Sequence, residues 1–204
     1  MPYRRFILAA PLGLVACSSL LPRQKYVPRT IWPLQPPPSG NGATMSTGPV
    51  LLVRGITAGP GLERRGLQSL LTGGDLKIDY YNLWAVPPAD AVTQGLVSWA
   101  QASGLFSAVV TPGTRLTPGL IVEGELTELL TDIPARQARA AMSLLVIKPA
   151  GNLGGFAQPL GQVKLTAAQP VHGTGAAAQA AAQTQAVASL LAQAMARLAG
   201  YASR

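Results

Sequence analysis

The chain has 204 residues, 48% of them hydrophobic, and 16 Lys and Arg against 8 Asp and Glu give a formal net charge of +8. A single cysteine excludes an intramolecular disulfide and a thiolate metal site, and a single histidine cannot build a first-row metal site without several carboxylates. The basic residues are scattered, Glu63-Arg64-Arg65 being their densest cluster in the folded region, with no basic helix or basic–aromatic alternation; this argues against nucleic acid as a partner.

Met1–Arg5 carries Arg4 and Arg5, and Phe6–Ala16 is apolar throughout. A charged n-region, a short apolar run and small residues before a boundary make a secretory signal, too short for a membrane-spanning helix of about 20 residues. Leu14-Val15-Ala16-Cys17 resembles the bacterial lipobox, in which the cysteine thiol is diacylated, the signal is cut before it and the new N-terminus is acylated. That resemblance makes residues 1–16 a lipoprotein signal peptide and Cys17 the lipidated first residue of the mature chain. The plainer alternative is an ordinary signal peptide with an incidental cysteine. Two or more acyl chains hold a protein stably in a bilayer, at about 0.8 kcal/mol per buried methylene. No apolar stretch of about 18 residues recurs after the signal, so the mature chain is expected to be anchored to a membrane without spanning it.

Residues 17–48 read as an acylated N-terminus and a Pro/Gly/Ser-rich tether: "PLQPPPSGNG" at 33–42 joins a polyproline-prone run to a flexible one, without hydrophobic periodicity. Trp32 within it is expected to touch the protein's own surface or lipid. The folded domain, 49–204, opens with the strand "GPVLLVRGI" (48–56), followed by the loop "GPGLERRG" (59–66), a short strand at 67–71 and a Gly-Gly turn at 73–74. "LKIDYYNLW" (76–84) alternates, putting Ile78 and Tyr80 on one side and Lys77, Asp79 and Tyr81 on the other.

Pro87-Pro88-Ala89-Asp90 starts a helix with proline at its first turn and an acid near its positive end. Val92, Leu96, Trp99 and Ala100 form its apolar stripe and Gly104 its C-terminal cap. "LFSAVVT" (105–111) follows as a strand. "LIVEGELTEL" (120–129) sets Leu120, Val122, Gly124 and Leu126 against Ile121, Glu123, Glu125 and Thr127. "RAAMSLLVIKP" (139–149) and "GQVKLTA" (161–167) complete an antiparallel meander around the glycine-rich turn 149–159. From Thr174 to about Ala202 the chain is Ala/Gln-rich and helical in propensity. Val187, Leu190, Leu191, Ala194, Met195, Leu198 and Tyr201 give it a wide stripe, better suited to packing on a sheet than to a coiled coil. The expected fold is α+β: a two-layer domain, a mostly antiparallel sheet covered by a central helix and a long C-terminal helix.

No catalytic constellation emerges. His172 lies in a turn without a nucleophile elbow to serve, and no P-loop or Rossmann glycine pattern occurs. Glu123, Glu125, Glu128 and Asp132 concentrate acid on one strand, but carboxylates at i and i+2 flank the same side of a substrate, so a solvated strand face outweighs a glycosidase pair. The chain is read as non-enzymatic, with no catalytic residues, metal or cofactor.

From the first strand to the last helix, the order of features resembles the ABC-transport auxiliary lipoproteins, the lipoprotein partners of MCE-type lipid-transport systems such as that of the paraquat-inducible operon. A lipobox and proline-rich tether lead to "VLLVRGI", a basic loop and an aromatic strand running into "NLWAVPPADAVTQGLVSWAQASGLFSAV". Tyr80, Tyr81, Asn82, Trp84, Pro87, Leu96, Gly104, Phe106 and Val109 match the family pattern there, as do the strand at 120–126 and the alanine-rich last helix. The resemblance implies a non-catalytic, periplasm-facing subunit working beside an MCE-domain protein, an ABC permease and an ATPase. Tyr80, Tyr81 and Trp84 become candidates for partner contact, with packing as the other role for Trp84 and Trp99. Ser18 and Ser19, rather than aspartate, after Cys17 resemble an outer-membrane destination, the periplasmic leaflet of the inner membrane being the other possibility. Homo-oligomers are plausible because MCE proteins form rings. The alternative is a free-standing lipoprotein binding a lipid or hydrophobic small molecule between sheet and helices; a hydrolase using Glu123 or Glu125 is a third reading.

Overall fold

The structure, a computed structural model, describes residues 26–38, 47–150 and 155–203. The signal peptide and Cys17 lie outside the described residues, as does part of the turn at 149–159. Eight strands and two helices are described: β1 (Thr30–Trp32), β2 (Val50–Ala58), β3 (Gly66–Leu70), β4 (Leu76–Trp84), α1 (Pro88–Ser103), β5 (Ala108–Val110), β6 (Leu120–Asp132), β7 (Gln137–Lys148), β8 (Gln158–Pro170) and α2 (Gly175–Ala202).

The strands form one sheet in which β6 is the axis. Its full length pairs antiparallel with β7, and β7 pairs antiparallel with β8, the meander expected from the three alternating segments. The opposite edge of β6 is shared: its first half takes β2 in parallel, its last residues take β3. Beyond β2 lies β5, and beyond β3 lie β4 and then β1. The sheet is therefore mixed, its longest ladders antiparallel and its β2–β6, β2–β5, β3–β6 and β1–β4 pairings parallel.

Both helices cover one face, as the α+β reading requires. On α1 the stripe Val92, Leu96, Trp99 and Ala100 is buried, and Gly104 closes the helix with a left-handed φ of 69°. α2 runs 28 residues, about 42 Å, which matches the roughly 43 Å of the 13-residue strands β6 and β8 beneath it. Its alanines give up little side-chain entropy on ordering and let the backbone lie close to the sheet. Val187, Leu190, Leu191, Ala194 and Leu198 are fully buried there, so α2 is a core helix and not a free coiled-coil tail. Gln183 is also fully buried and ties the layers together, its Nε2 donating to the Gln68 carbonyl at 3.1 Å and to Thr131 Oγ1 at 3.0 Å.

Two register shifts fix how the layers meet. At Gly55, φ 129°, the β2–β6 register slips, and the Ile56 amide donates instead to Thr93 Oγ1 of α1 at 2.8 Å. A second shift between Leu126 and Glu128 turns Leu129 and Thr131 inward. Ile121 departs from the expected alternation: it is buried although it lies on the face of Glu123.

The expected tether is shorter than its composition suggests. Thr30–Trp32 pairs in parallel with Asn82–Trp84 at the sheet edge. Leu34, 2% exposed, then enters the core, and the Pro36 carbonyl accepts a hydrogen bond from the buried Trp99 Nε1 at 3.1 Å. The segment 33–38 thus lies across α1, held by isolated side chains rather than by a periodic stripe.

Candidate interaction surface

The motif positions separate into packing and display. Trp84 is 1% exposed and closes β4 inside the core, and Phe106 is buried in the same core. Pro87 is the residue before the first turn of α1, and Gly104 is the residue after its last. These four pack or bound the elements of the fold, and Trp84 presents almost no side-chain surface to solvent.

Tyr80 and Tyr81 are the opposite case, 64% and 43% exposed. The reason is local. Opposite β3, the register of β4 jumps from Ile78 to Leu83 while β3 advances only from Gln68 to Gly66. The extra residues bulge outward around Asp79. Its Oδ1 accepts the amides of Tyr81 at 2.8 Å and Asn82 at 3.0 Å, and its Oδ2 accepts the Asn82 side-chain amide at 3.1 Å. Partial burial alone would push the Asp79 carboxyl up, but these hydrogen bonds, aided by Lys77, outweigh it and hold the carboxyl below its ordinary 3.8. Asn82 in turn accepts a hydrogen bond from Trp32 Nε1 at 3.3 Å, which joins β1 to the bulge.

The displayed rings are ordered by each other and by a cation. Tyr80 and Tyr81 meet edge to face at 5.2 Å, and the Arg29 guanidinium lies 4.2 Å from the Tyr80 centroid. Arg64, Arg65 and Ile78 border the same depression as Arg29 and Tyr80. The result is an exposed aromatic and basic edge formed by β1, β4 and the loop before β3.

The acidic strand face has a different use. Glu123 pairs with Arg54 at 2.8 Å, and Arg139 is shared by Glu128 at 2.7 Å and Asp132 at 3.1 Å, all at least partly solvated. These carboxylates neutralise neighbouring cations across the open face of the sheet, a modest surface stabilisation. Glu123 and Glu125 border an open groove of about 860 Å³ together with Ser143, Gln162 and Thr93. His172 is exposed in the turn ahead of α2. Among the described residues no group of three or more His, Cys, Asp or Glu is placed to hold a metal, and no helix is long and apolar enough to cross a membrane.

The sequence located the aromatic strand but expected plain alternation along it. Its bulge depends on Asp79 capping its own strand, for which an aspartate two residues before an exposed tyrosine was the available signal. Arg29 and Trp32 were missed as neighbours of the motif because their segment read as tether.

Comparison with known proteins bears on this arrangement as a whole. Residues 32–196 match the family model described as the ABC-type transport auxiliary lipoprotein component. No curated protein matches the chain significantly. Among solved structures, protein XCC0632 from Xanthomonas campestris is 20% identical with a TM-score of 0.68, over 84% of this chain and 93% of that one. The hypothetical protein CT253 from Chlamydia trachomatis is 12% identical with a TM-score of 0.53, over 76% of this chain and 98% of that one. At these identities the likeness is one of fold. The matched region begins at Trp32, the last residue of β1, just ahead of the segment that seats on α1.

Proposed function

Since the chain belongs to the ABC-type transport auxiliary lipoprotein family, whose members are non-catalytic, we propose that it is the periplasm-facing accessory subunit of an MCE-type lipid transporter, anchored in the outer membrane through acyl chains on Cys17. The observation that carries this reading is the family match across both helices and the sheet, from residue 32 to residue 196. The partners are an MCE-domain protein, an ABC permease and an ATPase, and the protein's own contribution is binding and placement. Of the motif positions, Tyr80 and Tyr81 keep large side chains free for contact outside the chain.

The packing of the core works against the alternative of a ligand held between sheet and helices. Leu51, Leu96, Leu126, Met142, Leu190 and Leu191 fill that space, each fully buried. The ion pair of Glu123 with Arg54 likewise works against a hydrolase that uses Glu123.

The test is affinity purification of the full-length protein, tagged at its C-terminus, from crosslinked and detergent-solubilised membranes, with the mature N-terminal peptide weighed from the same eluate. An acylated Cys17 peptide together with an MCE protein, permease or ATPase is the expected result. An acylated peptide without any of them overturns the transporter assignment and leaves the lipoprotein.

A further inference from the structure

We propose that the edge formed by β1 and β4 is a docking face for the anionic headgroup surface of the bilayer in which Cys17 is anchored. The inference rests on the acylation of Cys17 in the reading above, and it adds a second, non-covalent attachment.

The first argument is reach. Had the whole of 17–48 been free, its maximum span of about 110 Å would leave the orientation of the domain undetermined. With Thr30–Trp32 paired to β4 and Leu34 in the core, the part of the domain fixed by these contacts reaches back to Thr30, and the described residues to Tyr26. Eight residues separate Tyr26 from Cys17, nine residue-to-residue steps with a span of at most about 32 Å. The first part of the fold to meet the membrane is therefore the β1 edge. A tether this short holds that edge at an effective concentration in the millimolar range, so a weak contact is enough to occupy it.

The second argument is chemistry. Tyr26, Ile31, Ile78, Tyr80 and Tyr81 are all exposed on or beside this edge, with Arg29 stacked on Tyr80. Aromatic rings with polar tips and arginines are the side chains that settle at the level of lipid headgroups. Charge agrees. The first acidic residue of the chain is Glu63, whereas Arg23, Lys25 and Arg29 follow Cys17 closely. Arg64, Arg65 and Lys77 add to the edge; Glu63 and Asp75 oppose them, and the Asp79 carboxylate is engaged by its own strand.

The third argument concerns what else a sheet edge attracts. An exposed edge ordinarily invites another strand, but Pro28 and Pro33 bracket the three residues of β1 and interrupt any ladder. A surface that reads side chains rather than backbone suits this edge better.

The test uses the full-length acylated protein in vesicles. Acylation consumes Cys17, so Ile31→Cys supplies a single thiol for an environment-sensitive fluorophore, and Thr166→Cys on β8, at the far end of the sheet, is the control. In vesicles of phosphatidylethanolamine and phosphatidylglycerol, headgroup-level nitroxide lipids are expected to quench the probe at 31 several-fold more than at 166. Added Arg29→Gln and Arg64→Gln changes are expected to weaken the contact about fivefold for each charge removed. Equal quenching at the two positions overturns the proposal, as does quenching at 31 that is the same in pure phosphatidylcholine. So does a Tyr80→Ala/Tyr81→Ala protein that keeps its membrane contact and loses copurifying transporter components, because the edge is then a protein contact. Unacylated Cys17 would show itself in the mass of the N-terminal peptide and would overturn the anchoring reading as well; acylated protein with an unquenched probe overturns the docking face alone.

Discussion

Asp79 shows how one side chain decides what its neighbours present. Without its carboxylate, the amides of Tyr81 and Asn82 lose their acceptor and the bulge that exposes the two tyrosines loses its fastening. Its folded carboxyl lies below the ordinary value, so the stability it contributes is present above the unfolded value near 3.8 and is lost as pH falls through the lowered folded one. Urea unfolding of wild type and Asp79→Asn should therefore differ at neutral pH, and the gap should close progressively below about pH 4; a gap independent of pH would mean that the carboxylate charge does not hold the turn. The identity of Tyr80 and Tyr81 as a conspicuous pair was legible in the sequence. Their exposure was not, because alternation assigns the two tyrosines to opposite faces and takes no account of a side chain that caps its own strand. Trp84 was ambiguous for the complementary reason: an aromatic residue shortly before a proline serves burial or contact until its neighbours are known.

At the level of elements, segments with a regular apolar period were readable and those held by isolated anchors were not. α1, α2 and the β6–β7–β8 meander each bury a repeating face, so their existence and most of their inward residues followed from spacing, Ile121 and the residues past the shift at Leu126 in β6 being the exceptions. β1 and the segment after it hold on through Trp32, Leu34 and Pro36 alone, in a proline-rich stretch with no period to detect. Leu34→Ala should release this segment, at a cost of about 2–3 kcal/mol, and limited proteolysis should then cut within residues 30–38 while the sheet beyond stays protected. Gly124 tests the central ladder. A Cβ there would press on the Ser143 carbonyl and come within 2.9 Å of Leu144 Cδ2 and 3.2 Å of Ile56 Cδ1. Backbone on the neighbouring strand cannot step aside as a flexible side chain does, so Gly124→Ala should cost about 1–3 kcal/mol by overpacking. Thermal or urea unfolding would register it; an unchanged midpoint would show that β6 and β7 have slack at this crossing.

Over the whole molecule, the order of strands makes the two ends of the sheet unequal. β1 and β5 end the two branches on one side of β6, the chain running back toward Cys17 from β1, while β8 ends the other side and is covered by α2. A domain anchored through one edge presents its far edge and open sheet face away from the bilayer, where soluble or transmembrane partners can reach them. Tether length is then a functional parameter and not mere slack. Inserting about 20 Gly/Ser residues between Lys25 and Tyr26 leaves every described contact intact and roughly triples the linker, so the effective concentration of the β1 edge at the membrane should fall about sixfold, as the −3/2 power of length. Headgroup quenching of a probe at residue 31 should drop with it, and the loss should be larger in high salt, where the basic residues contribute less. If contact persists undiminished after the insertion, the edge binds tightly enough on its own to need no short tether; if it vanishes even in low salt, proximity alone had produced it and the side chains of β1 and β4 add nothing to the anchor.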